Sequence, residues 1–115
     1  MVLSFFKRGE SGLEHVAHQT ISMLGDARHS FDLASTAVLA GADPAAVGAD
    51  IRATDERINA AEQQLRSELV VHVAVQGGGD IGLVLGYTLL LKKIERIGDQ
   101  AKNILDLADE GISLA

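Results

Sequence analysis

The chain has 115 residues, 47% of them hydrophobic, which suffices for one packed core and one domain. A formal net charge of −6 and a pI near 5.0 argue against nucleic acid and against adsorption to anionic lipid, both of which need a basic surface. Cysteine is absent, which removes disulfides, thiolate metal sites and thiol nucleophiles.

Aromatic residues make up only 3%, so Ala, Leu, Ile and Val must fill the core, a palette that suits close-packed helices. The N-terminus, "MVLSFFKRGES", places an apolar run before its charges, the reverse of a signal peptide, and residues 1–10 read as an extension. No stretch reaches the roughly 18 apolar residues of a membrane span. The expectation is a soluble cytoplasmic protein without direct membrane insertion.

The first helix is expected over about residues 11–40. Ser11 and Glu14 fit a capping box, and Leu13, Ala17, Thr20, Leu24, Ala27, Phe31, Ala34 and Val38 form a three-four apolar seam. "AGAD" ends it. Asp43 caps a second helix with Pro44 in its first turn. That helix runs to about residue 75 with the stripe Ile51, Thr54, Ile58, Ala61, Leu65 and Leu69, continued by His72. "QGGGD" stops it, and Asp80 is placed to cap a third helix over about 81–112. The third stripe is Tyr87, Leu90, Ile94, Ile97, Ala101, Ile104 and Ala108. Short connections force antiparallel neighbours. The fold class expected is all-α, an antiparallel three-helix bundle forming a single domain over 1–115.

One end is too apolar for that bundle. "LVVHVAV" (Leu69–Val75) and "IGLVLGYTLLL" (Ile81–Leu91) are apolar all round and flank one turn. Three helices bury one face each, not every face. A second copy in a C2 homodimer is the expected cover.

Two acidic rows flank the core stripes. On the third helix Glu95, Asp99 and Asp106 project within about 40° of one another, beside a core arc that contains Gly98. On the second helix Asp55, Asn59, Glu62 and Arg66 share a sector about 60° wide. Facing carboxylates in a bundle suit hard or borderline cations such as Mg²⁺, Mn²⁺, Fe or Zn²⁺. The competing reading is a solvated acidic face with local ion pairs, Glu62–Arg66 and Asp99–Lys102. His15, His18 and His29 project onto the polar side of the first helix, and His72 reads as a core or interface residue. Catalysis has little support: the connections are short, and "QGGGD" lacks the Gly-Lys-Ser/Thr of a phosphate loop.

"ERIGDQAKNI", Glu95 to Ile104, closely resembles the "ERIGDxAxNI" motif of the PhoU family, and "DERINAAE", Asp55 to Glu62, resembles its "DxxIDxLE" segment. The resemblance covers roughly Gly12 to Ala108. It implies a helical bundle normally present as two tandem three-helix repeats. This chain holds one repeat, so homodimerisation would restore a six-helix arrangement. It also implies a regulator of phosphate uptake and phosphate-starvation signalling, not an enzyme. Such a regulator contacts the ATPase subunit of the phosphate ABC transporter or a membrane sensor histidine kinase. The family's acidic motifs bind metal, reported as iron, zinc or magnesium, and land here on Asp55, Glu62, Glu95 and Asp99. Asn59 stands where the family has Asp; its amide keeps an oxygen but carries no charge. The alternatives are a metal-free structural or adaptor bundle and, third, a metal-dependent enzyme.

Overall fold

The computed structural model describes residues 11–112 and 114; the N-terminal extension and the side chain of Ser11, with its expected capping box, lie outside the described residues. Three helices run up, down and up: α1 (Ser11–Leu39), α2 (Pro44–Gln76) and α3 (Ile81–Asp109). At 1.5 Å per residue the 33-residue α2 spans about 50 Å, which accounts for the 52 Å long axis. The fold is the all-α, antiparallel three-helix bundle expected from the periodicity, with no strand among the described residues.

Glycine sets each helix end. α1 closes when Ala42 N–H bonds Thr36 O at 3.3 Å, with Gly41 in the left-handed region (φ 74°). Asp43 then accepts from Ala45 N–H at 3.1 Å, with Pro44 in the first turn, as the sequence indicates. α2 extends one residue beyond expectation, to Gln76, and ends at Gly77 (φ 78°).

Asp80 departs from its expected role. It stands at the start of α3 but makes no side-chain capping bond. Its carboxylate instead accepts from His72 Nε2 at 2.8 Å, linking the end of α2 to the turn. A charge-assisted bond to a ring only 3% exposed outweighs a cap open to solvent. α3 stops at Asp109 rather than 112. Gly111 takes φ 88°, so Ile112 N–H reaches back to Leu107 O and Gly111 N–H to Ala108 O, a Schellman closure.

The core is aliphatic. Met23, Ile58, Leu65, Leu69, Leu91 and Ile94 are its largest members, and Ala34, Ile51, Ala101 and Leu105 continue it toward the α1–α2 turn. The expected α2 stripe is buried except at Ala61, which is half-buried, while Glu62, expected beside the core, is buried with it. On α1 the buried seam is rotated: Val16, Met23 and Ser30 are inside, while Leu24 and Phe31 lie partly exposed along a groove shared with Ile97. On α3 Leu90 is exposed and Leu91 is buried instead, while Gly98 is buried as expected. Each helix packs on both of the others, so its buried arc centres between its two neighbours; where the apolar arc is broad, as on α1 and α3, that centre need not fall on the most apolar line. The apolar surplus near the α2–α3 turn is present: Val70, Ile81, Leu83, Leu85 and Leu89 are exposed.

Candidate site on the acidic faces of the second and third helices

Two contacts fix the register of α2 against α3. Lys102 Nζ donates to Asp55 Oδ2 at 3.3 Å, and a Cβ placed on Gly98 would lie 3.6 Å from Ile58 Cδ1. Antiparallel helices in that register bring Glu62 and Glu95 to the same level of the bundle.

Gly98 is buried against α2, as its place in the core arc requires. The same Cβ would stand 3.8 Å from Asp55 Oδ1, so the Asp55 carboxylate leans over the glycine. Both distances are ordinary van der Waals contacts. An alanine fits there, and only a longer side chain meets Ile58.

Asp55 is half-buried and engaged through Oδ2: Lys102 donates to that oxygen from α3, and Asn59 Nδ2 donates to it from the next turn at 3.4 Å. Lys102 therefore pairs across helices with Asp55, not along α3 with Asp99 as the sequence suggested. The guanidinium of Arg66 does pair with Glu62, Nε to Oε1 at 2.8 Å. Its N–H is not aimed along that line, and no hydrogen bond results.

Glu62 is the unusual member of the set. It is 8% exposed, and its Oε2 is buried with no hydrogen-bond partner. An ionised oxygen in that position loses water without replacement. Glu95 is half-buried and Asp99 exposed, and neither has an ion-pair partner among the described residues. The five residues thus form one surface across α2 and α3, but they do not converge. Among the described residues no three acidic or histidine side chains gather around a single point. Asp55 and Asn59 are occupied with Lys102 and with each other. Within this set, Glu62 Oε2 is the buried oxygen with coordinating capacity to spare.

A second polar network links α1 to α2. His29 Nε2 meets Asp50 at 3.2 Å, Thr54 Oγ1 donates to Asp50 at 3.1 Å, and Arg57 bridges Thr54 to Asp26. The His29 hydrogen bond is the main reason the Asp50 carboxyl lies below its ordinary range. His15 pairs with Glu68 at 3.4 Å, so it and His29 tie α1 to α2. His18, the third histidine of that polar face, makes no such ion pair among the described residues. Nothing in the apolar periodicity signalled these cross-helix pairs.

The PhoU domain model matches residues 13–108. The chain belongs to the PhoU domain family. The match takes in all of α2 and α3 except Asp109 and most of α1, so the acidic rows lie inside the PhoU domain. No curated protein gives a significant match to the chain, and no solved structure does so. A PhoU domain brings a coarse role with it, since the family is known for regulating phosphate transport and is generally regulatory, not enzymatic. Among the described residues no helix is long and apolar enough to cross a membrane.

Proposed function

We propose that this PhoU domain is a regulatory binding module that offers its α2–α3 acidic face to a cationic surface on a partner protein. By family, the partner is the ATPase subunit of a phosphate ABC transporter or a sensor histidine kinase, and the process is control of phosphate uptake and starvation signalling. One observation carries the reading. Within the family motif, Glu95 and Asp99 have no ion-pair partner among the described residues, whereas Asp55 beside them is neutralised by Lys102. Charges left unmatched on a folded surface steer and orient a complementary partner.

The test is binding of purified chain to each partner in wild-type form and as Glu95→Gln/Asp99→Asn. Both side chains reach solvent, so helicity should be unchanged. Binding should weaken by about tenfold or more, with a shallower salt dependence. Equal affinity for both forms, together with equal repression of phosphate uptake in cells, sinks the proposal.

A metal-dependent version rests on Glu62 Oε2, the buried oxygen with no partner. In it, Glu62 and Glu95, which share a level, would hold a divalent or trivalent cation of the Fe, Zn or Mg class, and its charge would offset their repulsion. Metal content of protein purified without chelator, in wild type and Glu62→Gln, decides this. Equal metal in both removes the cation from the site.

A further inference from the structure

We propose that the outer face of the N-terminal half of α3 pairs antiparallel with the same face of a second copy of this chain. Ile81, Leu85 and Leu89 form a row on the outer side of α3, centred about 120° around the helix from the buried arc of Val84, Leu91 and Gly98. All three are exposed, at 44%, 56% and 63%. No charged residue interrupts the helix from Ile81 to Leu91. The face is continuous on one side with an apolar groove of about 470 Å³ between α2 and α3, lined by Val70, Val73 and Ala74. On the other side it meets Leu83 and Leu90, also exposed.

The size suits a dimer. Six half-exposed aliphatic side chains leave on the order of 600 Å² bare, the upper end for a monomer and most of the roughly 800 Å² per partner in a standard interface.

The face is also complementary to itself. Gly82 and Gly86 lie beside the leucine row, and a Cβ on either would meet nothing within 4 Å. Neither glycine has a packing reason inside the chain, although glycine weakens a helix interior. In an antiparallel pair centred between Leu85 and Gly86, Leu85 stands opposite the partner's Gly86 and Leu89 opposite the partner's Gly82. Each ridge meets a notch, which lets the backbones approach closely.

Charge agrees with this register. Lys92 and Lys93 follow the apolar run directly and come level with the partner's α2–α3 turn. There the last turn of α2 carries no basic residue of its own, and Asp80 supplies a carboxylate. Cations beside helix C-terminal carbonyls are favourable.

Light scattering on the full chain at tens of micromolar tests the pairing. Wild type should show twice the 12.1 kDa chain mass, and Leu89→Glu should halve it with helicity intact. A wild type that stays at the chain mass overturns the proposal, whether the face is covered by the chain's own first ten residues, by another protein or by nothing. So does a Leu89→Glu variant that remains dimeric. Because the chain lacks cysteine, a single cysteine reports the geometry. Gly86→Cys lies near the pair axis and should cross-link to its copy at least about tenfold faster than Asn103→Cys, which the antiparallel register holds far from its own copy. Equal rates overturn the antiparallel register.

Discussion

Glu62 offers a direct measure of what the acidic face costs the fold. Replacing it by Leu removes a carboxylate that is 8% exposed and has one oxygen without a partner. Leaving such an oxygen dry costs about 1–3 kcal/mol. The ion pair with Arg66 repays little, because the Arg66 side chain is 42% exposed and its attraction is screened to below about 1 kcal/mol. The site is flanked along α2 by Ile58 and Leu65, both buried, so an aliphatic side chain finds apolar neighbours. The net expectation is a gain of about 1–2 kcal/mol, consistent with the effect of replacing buried ion pairs by hydrophobic residues. For a chain of this size that is a rise in Tm of roughly 4–10 °C. Urea unfolding followed by circular dichroism, at one protein concentration, measures it. Arg66→Ala completes a double-mutant cycle, and its cost should be larger in the wild type than in the Glu62→Leu background. A Glu62→Leu chain less stable than wild type by about 1 kcal/mol or more refutes the argument. That result would mean the carboxylate is satisfied in the folded protein. The stabilised variant is then the informative one in a phosphate-uptake assay, because stability gained at a functional position is commonly paired with lost activity.

Gly98→Ala should stabilise the chain by about 1 kcal/mol in thermal unfolding, since helix propensity rises and the added methyl makes only ordinary contacts at 3.6 and 3.8 Å. Gly98→Leu should destabilise, because the longer side chain meets Ile58. Asp80→Ala removes the 2.8 Å acceptor of a buried histidine and should cost about 1–2 kcal/mol in chemical denaturation, with Asp80→Asn between it and wild type. The Asp50 carboxyl is held below its ordinary value of 3.8, first by the His29 hydrogen bond. A carboxylate of lowered pKa stabilises above its unfolded value and loses that contribution as pH falls through the folded one. Tm measured against pH should therefore separate wild type from Asp50→Asn most when the pH is well above 3.8, and the two curves should approach each other as the pH falls below it.

The bundle was legible because its helices are punctuated by glycine and proline and carry long three-four apolar stripes. The α2 stripe proved to be buried at every position but Ala61, because this helix has one apolar line between two charged flanks; the burial of Glu62 next to Ala61 was not foreseen. The stripes of α1 and α3 were legible only to within a residue. Their apolar arcs are broad, and the sequence does not say which part turns inward; Leu24 against Met23 and Leu90 against Leu91 were decided by packing. The acidic rows were found by helical projection and family motif. Their internal chemistry was not, because a projection shows one helix at a time. Lys102 reaching Asp55, Asp80 reaching His72 and His29 reaching Asp50 are all contacts between different elements or across a turn. The end of α3 was missed for a simpler reason: Gly111 is a left-handed stop signal, and Ile112 beyond it is apolar enough to extend the pattern.

The up-down-up order gives the three packed pairs different histories. α1–α2 and α2–α3 are hairpins closed by short turns, so their contacts form between near neighbours in the chain and assemble quickly. α1 and α3 run parallel, and residues that meet there, such as Val38 and Ala108, are roughly 70 positions apart, which carries a larger loop-closure entropy. Docking of α1 onto α3 is therefore the step that commits the chain to its topology. It is also the most extensive of the three pairings, so a large share of the packing arrives with that last event. Of the two hairpins α1–α2 is the more extensive and carries the His15–Glu68, His29–Asp50 and Arg57–Asp26 pairs, so amide exchange should show α3 opening as a unit below the global unfolding energy, leaving the α1–α2 hairpin assembled.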